Sequence, residues 1–254
     1  MPKLVLFDVD GTVLRHGYQE ATERVADAVG RAIQEGSRFA PVTSRTARMM
    51  GGLANQLQLQ DLGVLDGGAT IYDFATDMQD QKRSRWTSPA KTHHILTVIS
   101  RYCSEAYYGE DSRRYQPDQA DSISSPSVFA VYPNESRQNI DRALSAVGGI
   151  SSRHNRYEDS AIYSCIQVVA QGVDKRSGAA ILLSDRRYVG FLPNDIVAIG
   201  DGEPDKDLFS AIPKEGRRIA VGDNTTLTAR ADSVVPSADG DGFALALERY
   251  VIGT

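Results

Sequence analysis

Cysteine is nearly missing from this chain: its 254 residues hold only Cys103 and Cys165. Two thiols with no nearby partner and no metal-ligand spacing exclude a disulfide framework and read as packing residues. Long apolar runs are absent too. None approaches the roughly 20 residues that cross a bilayer, so no membrane role is expected. The first residues lack the basic, apolar, small-residue order of a secretory signal, which makes the cytoplasm the expected location. Basic tracts are short, and a formal net charge of −5 weighs against a general nucleic-acid binder. No internal repeat is visible.

What remains is an ordinary globular composition, 41% hydrophobic and 24% charged, long enough for one large or two modest domains. The run Leu4-Val5-Leu6-Phe7 ends in Asp8-Val9-Asp10-Gly11-Thr12. A short apolar run bounded by a turn signal reads as a buried strand of a parallel sheet. Ligands of open α/β sheets sit beyond the carboxyl ends of such strands, so Asp8 and Asp10 stand where chemistry is expected. Clustered carboxylates held near an apolar interior need a partner, and the usual one for hard oxygens is a divalent cation such as Mg²⁺.

Further on, Thr22 to Glu35 has helical spacing closed by Gly36. Phe39 to Val42 reads as a strand despite Pro41, provided the proline lies near its end. It runs into Thr43-Ser44-Arg45, and Thr46 to Leu57 follows as a helix with Met49, Met50, Leu53 and Leu57 on one face. Val64 to Tyr72 reads as a hairpin, and Asp77 to Arg85 as a linker. Between them and residue 171 the pattern changes to a smaller α+β unit. It contains helices from Pro89 and over Asn134–Val147, a strand over Val128–Tyr132, polar loop or weak strand over Glu110–Ser127, and a half-exposed antiparallel strand over Ile162–Ala170. The buried pattern then returns. Lys175 follows a strand and precedes a helix over Ser177–Ser184. Ile196 to Ile199 ends in Gly200-Asp201-Gly202-Glu203-Pro204-Asp205, and Arg218 to Val221 ends in Gly222-Asp223-Asn224. A short strand at Ser233–Val235 and a helix over Gly242–Tyr250 close the chain. Strands alternating with helices at both ends predict a doubly wound, Rossmann-like parallel-sheet core, residues 1–82 and 172–254, with an inserted cap at 83–171.

Four strand ends thus carry reactive polar residues. In that order, with Asp-Val-Asp-Gly-Thr first and Gly-Asp-x-x-x-Asp late, the chain resembles the haloacid dehalogenase (HAD) superfamily of phosphotransferases. The likeness covers essentially the whole sequence and is greatest to the Cof-type branch, subclass IIB, whose α/β cap is inserted between the second and third motifs. That resemblance implies an enzyme, a HAD-type phosphomonoester hydrolase acting on a small phosphorylated metabolite such as a sugar phosphate. Asp8 would be the nucleophile that forms an aspartyl-phosphate. Asp10 would protonate the leaving alcohol and then activate water, help worth about 10²–10⁴-fold. Thr43 would bond the phosphoryl group, and Lys175 would offset its charge and that of Asp8. Arg45, Thr43 and Ser44 would face the substrate, Ser44 reading foremost as a helix cap. Asp8, Asp10, Asp201 and Asp205 would hold Mg²⁺. A Lys and a cation facing spread negative charge suit phosphoryl transfer, which needs positioning and neutralisation more than covalent chemistry.

Three positions depart from the family pattern. Pro204 stands where an Asn usually precedes the final Asp, Arg176 where a Gly follows the lysine, and Gly67 where an Asn precedes the hairpin glycine. In the cap, Arg113, Arg114, Arg153, His154 and Arg156 read chiefly as solvated, as do His93 and His94, while Trp86 reads as packing. Two other functions are consistent with the outline: a phosphomannomutase-like mutase, and a catalytically impaired member with a binding role. A monomer or homodimer is expected.

Overall fold

A computed structural model describes residues 1–80, 89–108, 127–133, 136–156 and 164–253. The chain divides into two compact units, Met1–Asp80 with Asp174–Thr254, and Gln81–Val173.

The first unit is built on a five-stranded parallel sheet of β1 (Leu4–Phe7), β2 (Arg38–Pro41), β10 (Ile196–Gly200), β11 (Arg217–Val221) and β12 (Ser233–Val235), in the order β12-β11-β10-β1-β2. β1 pairs with β10 on one side and β2 on the other, Leu4 opposite both Ile196 and Arg38. The chain winds outward in both directions from β1, so the switch point lies between β1 and β10, where open α/β sheets open a crevice. Alternate residues face two apolar layers. Val5, Phe7, Phe39, Val197, Ile199, Ile219 and Val221 pack on one side with the helices α1 (Glu23–Gln34), α2 (Ala47–Gln56) and α8 (Gly242–Tyr250). Leu4, Leu6, Ala40, Ala198 and Ala220 pack on the other with α5 (Lys175–Leu183) and α6 (Asp205–Ala211). Each large apolar side chain so buried contributes about 1.5–3 kcal/mol, which explains why these strands are apolar on both faces.

Local chemistry sets the helix ends. Thr22 caps α1, accepting from the Val25 amide at 3.3 Å, and Gly36, at φ +89°, turns the chain after it. Pro41 is the last residue of β2, an outer strand of the parallel sheet, where its missing donor costs little. Thr46, not Ser44, caps α2 through a bond from the Met49 amide. Met49 itself is exposed, and the buried face of that helix is Met50, Leu53 and Ala54. Helix α5 starts at Lys175, two residues before the expected Ser177. The reason is a reciprocal cap: Asp174 accepts from the Ser177 amide at 2.6 Å while the Ser177 hydroxyl accepts from the Asp174 amide at 3.0 Å.

The expected hairpin is β3 (Leu62–Leu65) with β4 (Thr70–Asp73), joined by a 3₁₀ turn at Asp66–Gly68. A third antiparallel strand, β5 (Met78–Asp80), occupies part of the stretch expected to be linker. Its polar residues carry no apolar alternation because the partner strand supplies the pairing. The short helix α7 (Thr225–Thr228) is capped by Asn224, as its position after β11 suggests.

The second unit is a four-stranded antiparallel sheet, order β6-β7-β9-β8, with helices α3 (Pro89–Ile99) and α4 (Arg137–Ser145). Its strands are β6 (Cys103–Tyr108), β7 (Ser127–Pro133), β8 (Ile150–Arg156) and β9 (Ser164–Ala170). Ile95, Leu96, Ile99, Ile140, Leu144, Ile166 and Val168 form its core. β6 and β8 escape sequence reading because outer strands need little apolar pattern. The half-exposed reading of β9 is corrected: Gln167 and Val169 are buried as well as Ile166 and Val168, since β9 is an inner strand. Among the described residues Cys103 is a buried free thiol, in keeping with a packing role. His93 and His94 are exposed on α3. Trp86, Arg113, Arg114 and the loop expected over Glu110–Ser127, apart from Ser127, which opens β7, lie outside the described residues, as do the side chains of Arg153, His154 and Arg156.

Candidate active site

The switch point gathers the acids. Asp8 follows β1 directly, and its amide donates to the Ile199 carbonyl of β10 at 2.9 Å. Lys175, only 2% exposed, places its Nζ 2.8 Å from Asp8 Oδ1 and 2.7 Å from Asp205 Oδ1. The other oxygen of Asp205 accepts the amides of Asp201 and Gly202, both at 3.0 Å. Asp205 therefore shapes the loop that carries Asp201 and grips the lysine at once. Asp8, Asp201 and Asp205 offer carboxylate oxygens that lie within 4.8 Å of one another.

Sequence reading assigned no role to Gly11 or Thr12, though both follow the paired acids. Thr12 Oγ1 donates to Asp201 Oδ1 at 2.6 Å. The amides of Thr12, Val13 and Leu14 all bond the Val9 carbonyl, a tight turn that brings the threonine back to the acids. Gly11 sits at φ +85°, and a Cβ there would lie 2.2 Å from Asp201 Oδ2. Only glycine allows both the turn and that approach. The signal that marks them is the Gly-Thr directly after the second acid.

Asp10 stands apart from this cluster. Its two oxygens are held by Arg45, Nε to Oδ2 at 2.9 Å and Nη2 to Oδ1 at 2.7 Å. Arg45, expected to face the substrate, is instead buried at 3% exposure. Thr43 is buried beyond the end of β2, its amide bonded to the Val64 carbonyl at 2.9 Å and its hydroxyl accepting from the Arg45 amide at 3.2 Å. Ser44 is half-buried between them. Pro204 sits at the head of α6 with no side-chain bond to offer.

Electrostatics follow from the crowding. Burial, then the charge of Asp205, push the Asp8 carboxyl up to about 7 against the pull of Lys175, with Asp10 adding to the rise. Burial and the charges of Asp205 and Asp8 also raise Asp201 well above the ordinary carboxylate range, opposed by the Thr12 bond and Lys175. Burial alone would lower Lys175, but the charges of Asp205 and Asp8 hold it above its usual value. Three carboxylates against one ammonium leave negative charge uncompensated. Clustered hard oxygens of this kind fit a divalent cation such as Mg²⁺.

Three carboxylates and an ammonium gathered at the switch point of a doubly wound sheet mark a site for charged-ligand chemistry on an α/β fold. The profile of the haloacid dehalogenase-like hydrolases matches residues 5–163 and 153–247. The chain belongs to that family. Its fold is shared with a haloacid dehalogenase-like hydrolase from Bacteroides thetaiotaomicron, at a TM-score of 0.75 and 20% identity over 98% of this chain and 99% of that one. It is likewise similar to a HAD subclass IIB sugar phosphatase, at 0.73 and 15% over 98% and 99% of the two chains. A phosphatase of the haloalkanoate superfamily, also from Bacteroides thetaiotaomicron, aligns at 0.75 and 18% over 99% and 96%. The fold is that of the HAD-type phosphatases. No curated protein sequence matches the chain.

Proposed function

We propose that the protein is a Mg²⁺-dependent phosphomonoesterase that works through an aspartyl-phosphate, with a phosphorylated sugar or glycoside as substrate. The observation that carries the reading is the buried Lys175, bonded to Asp8 at 2.8 Å and to Asp205 at 2.7 Å beside Asp201. A carboxylate nucleophile beside a fixed ammonium suits in-line attack on phosphorus. The sugar-phosphate class is supported by the likeness to a sugar phosphatase of subclass IIB.

An oxygen of Asp8 attacks phosphorus and the bond to the substrate oxygen breaks. Asp10 delivers a proton to that leaving oxygen. Water then attacks the aspartyl-phosphate, Asp10 takes its proton, and the electron pair of the breaking P–O bond returns to Asp8. Thr43 and Lys175 hold the phosphoryl oxygens, and Ser44 lies within the same turn. Asp8 and Asp201 would hold Mg²⁺, with Asp205 fixing the loop that carries Asp201. Asp10, counted with them in the sequence reading, has its carboxylate on Arg45 instead. Bound there, the cation supplies charge neutralisation for the transferring group. We assign substrate selection to the inserted unit.

The test is phosphate release from a panel of phosphorylated metabolites, with Mg²⁺ and with EDTA. Release confined to Mg²⁺ and lost in Asp8→Asn is expected. Turnover in Asp8→Asn equal to the parent would end the reading.

A further inference from the structure

Arg45 has no capacity left for a substrate. A guanidinium carries five N–H donors. Nε and one Nη2 hydrogen fork onto Asp10, at 2.9 and 2.7 Å. The second Nη2 hydrogen bonds the Tyr18 carbonyl at 3.2 Å. Nη1 bonds Gln19 Oε1 and the Met49 carbonyl, both at 3.3 Å. The backbone is pinned as well, since its amide donates to Thr43 Oγ1 at 3.2 Å and its carbonyl accepts from Asp66 at 2.9 Å. A side chain 3% exposed with every donor engaged is a bracket, not a ligand for phosphate.

What the bracket holds is Asp10. A planar fork onto both oxygens fixes the carboxylate plane, which a single ammonium does not do. It also sets the chemical character of Asp10. Both oxygens already accept N–H bonds, and each keeps its remaining lone pair on a side chain 27% exposed. That is the arrangement of an aimed proton acceptor.

We infer that Arg45 is a positioning residue for the hydrolytic half-reaction, holding Asp10 ready to take a proton from the water that attacks the aspartyl-phosphate. This rests on the phosphomonoesterase reading above. In the step, the water oxygen bonds to phosphorus while one O–H bond gives its proton to Asp10. The P–O bond to Asp8 breaks, and its electron pair restores the Asp8 carboxylate. Asp10 passes the proton to solvent or to the next leaving oxygen. The first half-reaction with an aryl phosphate needs little of this, because a good leaving group departs without a proton.

Rapid-quench kinetics with p-nitrophenyl phosphate and Mg²⁺ separate the two halves. Arg45→Met is expected to slow steady turnover about 10²-fold, the low end of general-base help. It should keep the first release of nitrophenol within about tenfold of the parent. A burst of nitrophenol should therefore appear, with a hydroxylamine-sensitive phosphoryl group retained on the enzyme. Arg45→Lys, which keeps the charge but not the fork, should show the same burst and covers the event that Arg45→Met does not fold. In an Asp10→Asn background, Arg45→Met should add no further loss, since the two act as one unit. Loss without a burst, a raised KM at unchanged kcat, or full additivity with Asp10→Asn would overturn the inference. A parent enzyme with no Mg²⁺-dependent release would instead remove the reading on which it rests.

Discussion

Replacing Lys175 with Met tests the electrostatic account of the site most severely. The side chain is 2% exposed and supplies the ammonium between Asp8 and Asp205, at 2.8 and 2.7 Å. Met fills similar space, so packing changes little and the charge is what is lost. Breaking a buried ion pair from one side costs about 3–5 kcal/mol, because the other charge is left without compensation. That cost depends on pH. The folded Asp8 carboxyl sits at about 7 against an ordinary 3.8, so between those values the folded chain holds a proton that the unfolded chain has lost. Stability from this group is therefore greatest at low pH and is lost as pH rises through the folded value. Lys175 is one of the groups that hold that value down, so its removal moves the upper edge of the window higher. At pH 8 the full loss of about 3–5 kcal/mol is expected in EDTA. At pH 5 Asp8 already carries its proton in the folded parent, so the bond to Asp205 is the main one left to lose and the loss is smaller than at pH 8. Urea unfolding of parent and variant in EDTA at the two pH values reads the difference. Equal losses at pH 5 and pH 8, or less than about 1 kcal/mol at pH 8, would refute the placement of an ammonium between these carboxylates.

Mg²⁺ should raise the thermal midpoint more at pH 8 than at pH 5, because Asp8 and Asp201 must shed protons to bind it; differential scanning fluorimetry with Mg²⁺ and EDTA checks the order. Gly11→Ala should raise the Mg²⁺ concentration for half-maximal activity at least about tenfold, since its Cβ would displace Asp201; unchanged metal dependence would deny the close approach. Asp205→Asn should lower activity by about 10²-fold or more in phosphate release, because its amide cannot accept from Lys175 and the two loop amides together. Pro204→Asn, which returns an amide to the head of α6, should lower the Mg²⁺ requirement; a higher one would mean that the proline shapes the loop to advantage.

Much of the architecture was legible because it depends on local pattern. Apolar runs of four or five residues bounded by turns are too short for helices and read as buried strands, and Thr22, Gly36 and Asn224 mark helix ends by their own chemistry. The unread parts are those where pairing replaces pattern. β5, β6 and β8 gain their hydrogen bonds from neighbours, so their polar residues carry no period. Buried Gln167 breaks the alternation that β9 was read by, and the start of α5 depends on a two-residue reciprocal cap.

The same division runs through the site. The order of acids, threonine, lysine and acids along the chain determined the family, the parallel sheet and the residues at stake, because Asp8, Thr43 and Asp201 each follow a strand of that sheet and Lys175 opens a helix packed on it. Only the tertiary structure decided how they divide their work. Asp205 carries the Lys175 bond and the loop amides, Thr12 joins Asp201, and Arg45 serves Asp10 rather than a ligand. The Lys175–Asp205, Arg45–Asp10 and Thr12–Asp201 partners stand 30, 35 and 189 residues apart in the chain, and nothing local to either residue in a pair records them.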